Sequence, residues 1–371
     1  MTFVLNEITV GTEMSNERLI SKAMKKETVV FLALTFALTF LLNLIIWVNY
    51  DSLVHSVELI SLGARVQMTI PAFSAIILNL FVFKTKIYPR KVKILFYYFL
   101  GLAAVFTLTF ALWLVNPINI ASIQLESMEN FGPIVAMSLL NLATLVLTFG
   151  WIALVFAWNL KSNSRQELKI AKLSFGKPSY YLLFGLFFFS YFLLSTILNW
   201  GFNLGSSPSE PTELVTWLLG FATIIFGPIL GFPPLFGEEY GWRIFLQDKL
   251  SLQFSRFKAV LLVGLVWGLW HAPLIALGLN YPDYPVLGIP LFTIFAIEIS
   301  IPLGLAAFKS SSVWLAAYLH GIINNTANIL AAYLYNTSDT VHSFGIGIYG
   351  LLILGAITFA FLKSKDWKES G

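Results

Sequence analysis

Two adjacent glutamates and an arginine stand out in the stretch 236–246, which reads Phe-Gly-Glu-Glu-Tyr-Gly-Trp-Arg-Ile-Phe-Leu. Glu238, Glu239 and Arg243 follow directly on an apolar run that is long enough to cross a bilayer. A charged side chain at membrane depth costs several kcal/mol unless it is paired or faces a wet cavity. The three charges therefore predict a functional site.

Further polar groups lie inside later apolar runs. His271 ends the sequence Trp-Gly-Leu-Trp-His, and Asn324 follows His320 by four residues. A carboxylate beside a histidine can activate water as a general base, or hold a metal ion that does so. A second histidine beside an asparagine amide can donate hydrogen bonds to a developing oxyanion. These are the groups that a peptide hydrolase needs, whereas Glu298 has no motif around it and is expected to be a structural partner.

The elements that must position these groups are membrane helices. Hydrophobic residues make up 57% of the chain and charged residues 11%, which is too apolar for a soluble core. The basic residues lie in short loops between apolar runs, so they indicate membrane topology and not a nucleic-acid surface. The chain has no cysteine, which excludes disulfides, thiolate metal sites and a cysteine nucleophile.

Ten apolar runs are long enough to be transmembrane helices. Walking alternately through the loops between them places all but one of the 23 lysines and arginines on one side, the exception being Arg65. Because cytoplasmic loops collect basic residues, the sequence predicts an all-α, multi-pass protein of the cell membrane with both termini in the cytoplasm. The runs are 28–48, 66–83, 94–115, 133–159, 179–200, 214–236, 259–279, 286–308, 312–334 and 344–362.

Helix spacing predicts how the first motif is arranged. Glu239 and Arg243 are four residues apart and share a helix face, so they can pair, while Glu238 is turned by about 100° and can face another helix. The two prolines at 233 and 234 should break or bend the helix just before the glutamates. The loop charges place this stretch at the cytoplasmic boundary, so its charges should be less deeply buried than its hydropathy suggests.

The later motifs should lie at a compatible depth. With a rise of about 1.5 Å per residue, His271 lies about 18 Å and His320 about 12 Å into their spans from the cytoplasmic ends. The glutamates, at the cytoplasmic end of the sixth span, can reach the same space. The sequence therefore predicts one cavity, opening toward the cytoplasm.

The order of these motifs resembles that of a known family, the CAAX proteases and bacteriocin-processing enzymes, called the CPBP or Abi family of intramembrane proteases. Its pattern is Glu-Glu-x-x-x-Arg, then Phe-x-x-x-His, then His-x-x-x-Asn or Asp, each on its own helix. Here the three motifs are 238–243, 267–271 with Trp267 where Phe is usual, and 320–324. The resemblance covers roughly residues 179–334, and the first four spans carry none of the motifs.

The resemblance implies an intramembrane endopeptidase with four catalytic residues. Glu238 would activate the attacking water together with His271, and His320 with Asn324 would stabilise the tetrahedral oxyanion. Glu239 and Arg243 would be structural partners that hold the site, and Trp267 would keep an aromatic wall.

A metal-dependent version of this chemistry stays open. Glu238, His271 and His320 offer one carboxylate and two imidazoles, which are able to coordinate zinc and leave one position free. A glutamate-histidine mechanism and a zinc metalloprotease mechanism are therefore both compatible with the sequence. The chain contains no His-Glu-x-x-His, which excludes the site-2 type of zinc protease.

The sequence suggests a division into an N-terminal cytoplasmic segment (1–27), four spans of unassigned role (28–178), a protease core (179–362) and a cytoplasmic tail (363–371). The expected substrate is a membrane-associated protein or peptide, lipidated or not, cleaved near the cytoplasmic face. The alternative is a non-catalytic immunity or scaffold protein that binds a peptide in the same cavity. A transporter is a third hypothesis, because intramembrane charges beside Gly-Pro interruptions also mark substrate paths.

Overall fold

The structure is a computed structural model that describes residues 2–50, 56–84, 86–115 and 131–368, and at 2–23, 56–57 and 131–134 it describes the backbone alone. Helices dominate, because a chain in lipid must satisfy its own backbone hydrogen bonds. They are α1 (Thr2–Val48), α2 (Ser56–Ile77) with a π segment (Leu78–Phe83), α3 (Arg90–Val115), α4 (Phe131–Leu160), α5 (Ser162–Lys169), α6 (Pro178–Gly201), α7 (Leu214–Leu230), α8 (Phe232–Glu239) with a π segment (Tyr240–Leu246), α9 (Gln247–Ser251), α10 (Arg256–Trp270), α11 (Ala272–Ala276), α12 (Pro285–Ser310), α13 (Val313–Tyr333), α14 (Ile348–Thr358) and the 3₁₀ turns Phe359–Lys363 and Lys365–Trp367.

The all-α, multi-pass architecture is confirmed, and helices lie at all ten predicted positions. In the described part of the chain, seven helices are long and apolar enough to cross a membrane, and α7 with its bent continuation brings the number up to eight. Two positions fall short of the prediction. Helix α13 is less apolar because it carries His320 and several asparagines, and the helical segment Ile348–Lys363 is shorter than a span. Ten spans are therefore more than helix length and composition support.

The bend predicted at the two prolines is confirmed. Helix α7 ends at Leu230, and α8 begins at Phe232 with Pro233 in its first turn, where a missing N–H costs least. The two helical segments meet at an angle of 61°. The bend turns the glutamates at the end of α8 into the interior of the bundle.

The two ends of the helix bundle differ in their chemistry. At what we call the ribbon end, loops 202–213, 277–284 and 334–347 meet, and β1 (Gly205–Ser206) pairs antiparallel with β2 (Asn336–Thr337). At the opposite, basic end, a hydrogen bond from Lys309 lowers the pKa of the Asp366 carboxyl. The ion pairs between segments at the basic end are Lys91–Glu167 at 2.5 Å, Lys172–Asp248 at 2.7 Å, Lys309–Asp366 at 2.5 Å, and Lys249–Glu27.

Glycines let α2 approach the motif helix closely. A Cβ atom on Gly237 would lie 2.3 Å from the carbonyl oxygen of Met68, and one on Gly241 would lie 2.6 Å from the carbonyl carbon of Pro71. Small residues spaced by four are typical of tight helix contacts in membranes. Helix α2, from the first part of the chain, is thus packed directly on the helix that carries the glutamates.

Aromatic packing joins α3 and α4 to the same helix. The ring of Phe236 lies 4.9 Å from that of Phe99, 5.1 Å from that of Trp151 and 5.3 Å from that of Trp314, measured between centroids. Such aromatic pairs add about 0.5–1.5 kcal/mol each beyond the area that they bury. Helices on both sides of residue 178 therefore share one core.

The close contact between α2 and α8 predicts that Gly237→Ala lowers the melting temperature of the protein in detergent. The added methyl group would overlap the α2 backbone, and overpacking of this kind costs about 1–3 kcal/mol. Gly101 in α3 provides the matched control, because a Cβ atom there meets nothing within 4 Å. Gly101→Ala should leave the melting temperature unchanged or raise it, since alanine favours a helix over glycine by about 1 kcal/mol. Equal effects of the two substitutions would contradict the contact.

Candidate active site

Glu238, Glu239 and Arg243 lie where α8 passes into the π segment Tyr240–Leu246. Short π-helical turns are rare and occur often at functional sites. The side chains are 2%, 0% and 1% exposed. The expectation that a position near the membrane boundary leaves them less buried is wrong, because neighbouring helices cover them. Their charges must be compensated by other groups of the protein.

Glu239 compensates two groups at once. Its Oε2 lies 3.1 Å from Nε of Arg243, which confirms the predicted pair. Its Oε1 lies 2.9 Å from Nδ1 of His320, a contact that helix spacing did not predict. A carboxylate bound to one ring nitrogen of a histidine fixes the orientation of the ring. Glu239 therefore connects the motif helix to α13 and leaves Nε2 of His320 available to a molecule beside it.

Glu238 points away from this pair, as predicted, and contacts α10. The indole Nε1–H of Trp267 donates a hydrogen bond to its Oε2 at 2.6 Å. The guanidinium carbon of Arg243 lies 4.7 Å from the centre of the Trp267 ring, within the range of a cation–π contact. Trp267 is thus a polar partner of the carboxylate as well as an aromatic wall.

His271 lies at the break between α10 and α11. Its Nδ1 is 2.8 Å from the carbonyl oxygen of Trp267. A carbonyl oxygen can only accept a hydrogen bond, so Nδ1 carries the proton and Nε2 of the neutral ring is the acceptor. The ring packs against Trp270 and Phe292 at centroid distances of 4.8 and 4.7 Å. His271 is therefore held in the tautomer that a general base requires.

A cavity of about 560 Å³ joins these groups. Glu238, His271, His320 and Asn324 all line it, which confirms that the three motifs meet in one space. Three of these side chains lie in the interior of the bundle, whereas Asn324 is exposed. Glu298 does not line the cavity. Its carboxylate lies beside α14, where a Cβ atom on Gly355 would be 2.8 Å from its Oε1.

Helix α2 contributes a part of the cavity wall that the sequence analysis missed. Ala64, Gln67 and Met68 line the cavity. The amide of Gln67 accepts a hydrogen bond from Nδ2 of Asn43 at 2.6 Å and donates one to the carbonyl oxygen of Trp270 at 3.3 Å. Amide side chains in apolar runs often bond across membrane helices. The two amides, isolated in otherwise apolar spans, were the signal that could have revealed this wall.

The direction in which the cavity opens corrects the sequence analysis. The predicted topology places the basic end in the cytoplasm, and the cavity was expected to open there. Its lining instead reaches Leu279, Asn280 and the loop 335–346, which all belong to the ribbon end. Helix spacing gave the depth of each histidine but could not show which end of the bundle is closed by side chains.

The order of the motifs and their geometry agree with a comparison with known proteins. The model of the Rce1-like family, type II CAAX prenyl endopeptidases, matches residues 212–326. This part of the chain is similar to the Rce1-like CAAX proteases. The chain is also 34% identical over 109 residues to CAAX prenyl protease 2 of Methanococcus maripaludis. That match covers 28% of this chain and 38% of the relative's length.

The range matched to the CAAX protease family contains all four cavity residues of the predicted catalytic set, from Glu238 to Asn324. It also contains Glu239, Arg243 and Trp267. Helices α1 to α6 lie outside it. The matched range therefore contains the candidate catalytic residues, whereas part of the cavity wall and much of the packing around it come from helices outside the match.

The arrangement does not fit a shared metal ion. Within the described residues, no group of three His, Cys, Asp or Glu side chains is placed to hold one. We therefore derive no step through a metal ion.

The hydrogen bond from Trp267 predicts a measurable effect on activity. Trp267→Phe introduces the residue that is usual in the CAAX protease family and removes the donor to Glu238. Because a hydrogen bond to a charged group contributes about 1.5–3 kcal/mol, we expect the cleavage rate to change by about ten-fold or more, with the protein still folded. Trp314→Phe is the matched control: its Nε1–H bonds the Leu173 carbonyl at 2.7 Å, away from the cavity. A similar change of rate in both variants would contradict a specific role for Trp267.

Proposed function

We propose that the protein is an intramembrane endopeptidase that hydrolyses a peptide bond of a membrane-associated protein or peptide. The observation that carries this proposal is the cavity in which a buried carboxylate, two oriented histidines and an asparagine amide face the same space. These groups supply what peptide hydrolysis requires, namely a base, a proton carrier and donors for an oxyanion. The match to the CAAX protease family supports the same reaction.

In the proposed reaction, Glu238 and His271 activate a water molecule. The water oxygen forms a bond to the carbonyl carbon of the substrate, while one proton of the water moves to Glu238 or His271. Nε2 of His271 is the free acceptor of its ring, as its Nδ1 is held by the Trp267 carbonyl. The C–N bond then breaks, and the proton is transferred to the leaving amine. This sequence needs no group beyond the side chains and water.

The oxyanion of the tetrahedral intermediate would be stabilised by His320 and Asn324. Nδ1 of His320 donates to Glu239, so Nε2 donates to the oxyanion from the doubly protonated ring, which the neighbouring carboxylate favours. Asn324 lies one helical turn further along α13 and lines the same cavity. Donors fixed in a low-dielectric site stabilise a developing charge more strongly than donors in water do.

The size and lining of the cavity suit a peptide with apolar parts. Phe192, Phe292, Phe295 and Phe344 line it together with the polar groups. The relative from Methanococcus maripaludis is named a prenyl protease, so a lipid-modified peptide is the first substrate class to test. An unmodified membrane peptide would meet the same apolar wall.

Comparative peptidomics tests the proposal. Membranes from cells that express the native chain should contain cleaved peptides that are absent from membranes with the Glu238→Gln variant at equal abundance. The second hypothesis, a non-catalytic scaffold or immunity protein that binds a peptide in this cavity, predicts identical peptides and retained biological activity in the variant. Identical peptide patterns would therefore contradict the proposed protease.

A further inference from the structure

We propose that the substrate reaches the site from the ribbon end of the bundle, and that this end faces away from the cytoplasm. The peptide would then be presented from the extracytoplasmic side and lie in extended form along α13. This inference rests on the proposed function for the meaning of the cavity. The path itself is argued from packing, from polar side chains and from charge.

The site is closed toward the basic end. All seven residues of the π segment Tyr240–Leu246 are buried, and so are Gln247 and Leu250 that follow it. The amide Nε2 of Gln247 donates a hydrogen bond to the carbonyl oxygen of Gly304 at 3.2 Å, which ties this layer to α12. Among the described residues that line the cavity, none belongs to a loop of the basic end. A substrate has no path through this layer without unpacking it.

Among the residues that the structure describes, none closes the site toward the ribbon end. The cavity continues past Ala331 to Asn336, Thr340 and Ser343. A second cavity, of about 410 Å³, adjoins it there, since Asn328, Ala331 and Asn336 line both. Its remaining wall comes from residues 206–208, at the end of β1, and from Ala332. The space that begins at Glu238 therefore continues to the surface beside the ribbon.

The rim of this opening is held by hydrogen bonds. Nδ2 of Asn199 donates to Oγ1 of Thr337 and to the Phe344 carbonyl, both at 3.0 Å. The Tyr191 hydroxyl donates to the Gly345 carbonyl at 2.6 Å, and the Tyr281 hydroxyl donates to the Ile346 carbonyl at 2.7 Å. These bonds connect the loop after α13 to α6 and to the loop after α11. The residues around the opening are therefore held in defined positions by the fold.

A row of polar side chains leads from the opening to the site. His320, Asn324 and Asn328 follow each other at intervals of four and lie on one face of α13. Both asparagines are exposed, and within the described residues neither amide has a hydrogen-bond partner. An amide offers a donor and an acceptor, which is what the backbone of an extended peptide requires. The row is suited to guide a peptide backbone toward His320.

Charge places the ribbon end outside the cytoplasm. Loops 202–213, 277–284 and 334–347 contain no lysine or arginine, whereas they carry Glu210, Glu213, Asp283 and Asp339. The backbone N–H of His342 donates to Asp339 and lowers the pKa of that carboxyl, so it stays charged. Short loops that lack basic residues are typical of the non-cytoplasmic side. The open end and the end without basic loops are the same.

Cysteine labelling tests this inference directly, because the chain has no cysteine of its own. Three single-cysteine variants are expressed in bacterial cells: Asn328→Cys in the cavity, Ser207→Cys on the surface of the ribbon end, and Lys169→Cys on the surface of the basic end. A membrane-impermeant maleimide is added to intact spheroplasts or after lysis. We expect Asn328→Cys and Ser207→Cys to react in intact spheroplasts. Lys169→Cys should react only after the membrane has been opened.

Each other outcome would overturn the inference. Labelling of Asn328→Cys from the same side as Lys169→Cys would show that the cavity opens at the basic end. Labelling of Lys169→Cys in intact spheroplasts would reverse the orientation, and failure of Asn328→Cys to react after lysis would show that the cavity is closed. Because labelling requires no cleavage, repeating it with Glu238→Gln separates this inference from the proposed function: the pattern should not change.

Discussion

Replacing Glu238 with glutamine should abolish peptide cleavage while leaving the protein folded. Glutamine keeps the shape of the side chain and can still accept the hydrogen bond from Trp267, but it cannot take a proton from water. Loss of a general base typically lowers a rate by about 10²–10⁴-fold. The measurement is the initial rate of cleavage by purified protein in detergent, using a peptide identified by the peptidomic comparison, with the melting temperature recorded for the same samples.

Glu298→Gln is the matched control for this prediction. It makes the same chemical change in another glutamate of the bundle, which lies beside Gly355 and does not line the cavity. The control should keep a rate within a few-fold of the native protein. If Glu238→Gln retained native activity, the assignment of Glu238 as base would be refuted; if both variants lost activity equally, the effect would not be specific to the cavity.

Removing Glu239 should destabilise the protein more than any substitution at the surface. Glu239→Gln deletes the charge that faces Arg243 and His320, and its single amide oxygen cannot accept from both of them. Loss of one partner of a buried ion pair costs about 3–5 kcal/mol, because the other charge is left uncompensated. We expect a markedly lower melting temperature, together with a loss of activity even in the fraction that remains folded.

A double-mutant cycle separates this pairing from general damage. Arg243→Met removes the other charge, and Glu239→Gln combined with Arg243→Met removes both. If the pair is the main contact of each residue, the double variant should be less destabilised than the sum of the two single variants. Activity should stay low in the double variant, since His320 would still lack its carboxylate. Strictly additive losses of stability would argue against the pair.

The first part of the chain supports the site structurally, although its sequence contains none of the three motifs. Gly237 and Gly241 let α2 approach α8, Phe236 packs on rings from α3 and α4, and Gln67 connects α2 to the end of α10. The motif residues depend on these contacts for their positions. A segment limited to the matched family range would lack this support.

The sequence by itself determined the class of the protein and selected the residues of the candidate site. Apolar runs of bilayer length required helices, because lipid leaves a backbone no other way to satisfy its hydrogen bonds. Charges and imidazoles inside such runs are costly unless they function or pair, so Glu238, Glu239, Arg243, His271, His320 and Asn324 could be selected without a structure. The pairing of Glu239 with Arg243 followed from helix periodicity alone.

The tertiary structure decided how these residues divide their contacts and where the cavity opens. The bond from Trp267 to Glu238 and that from His320 to Glu239 join residues that are distant in the chain, and no local period encodes them. The same holds for burial: two glutamates near a predicted boundary became fully enclosed because α2, α10 and α13 pack over them. The stretch 236–246 indicated the candidate chemistry, and the packing of its neighbours decided that Glu239 is paired while Glu238 lines the cavity.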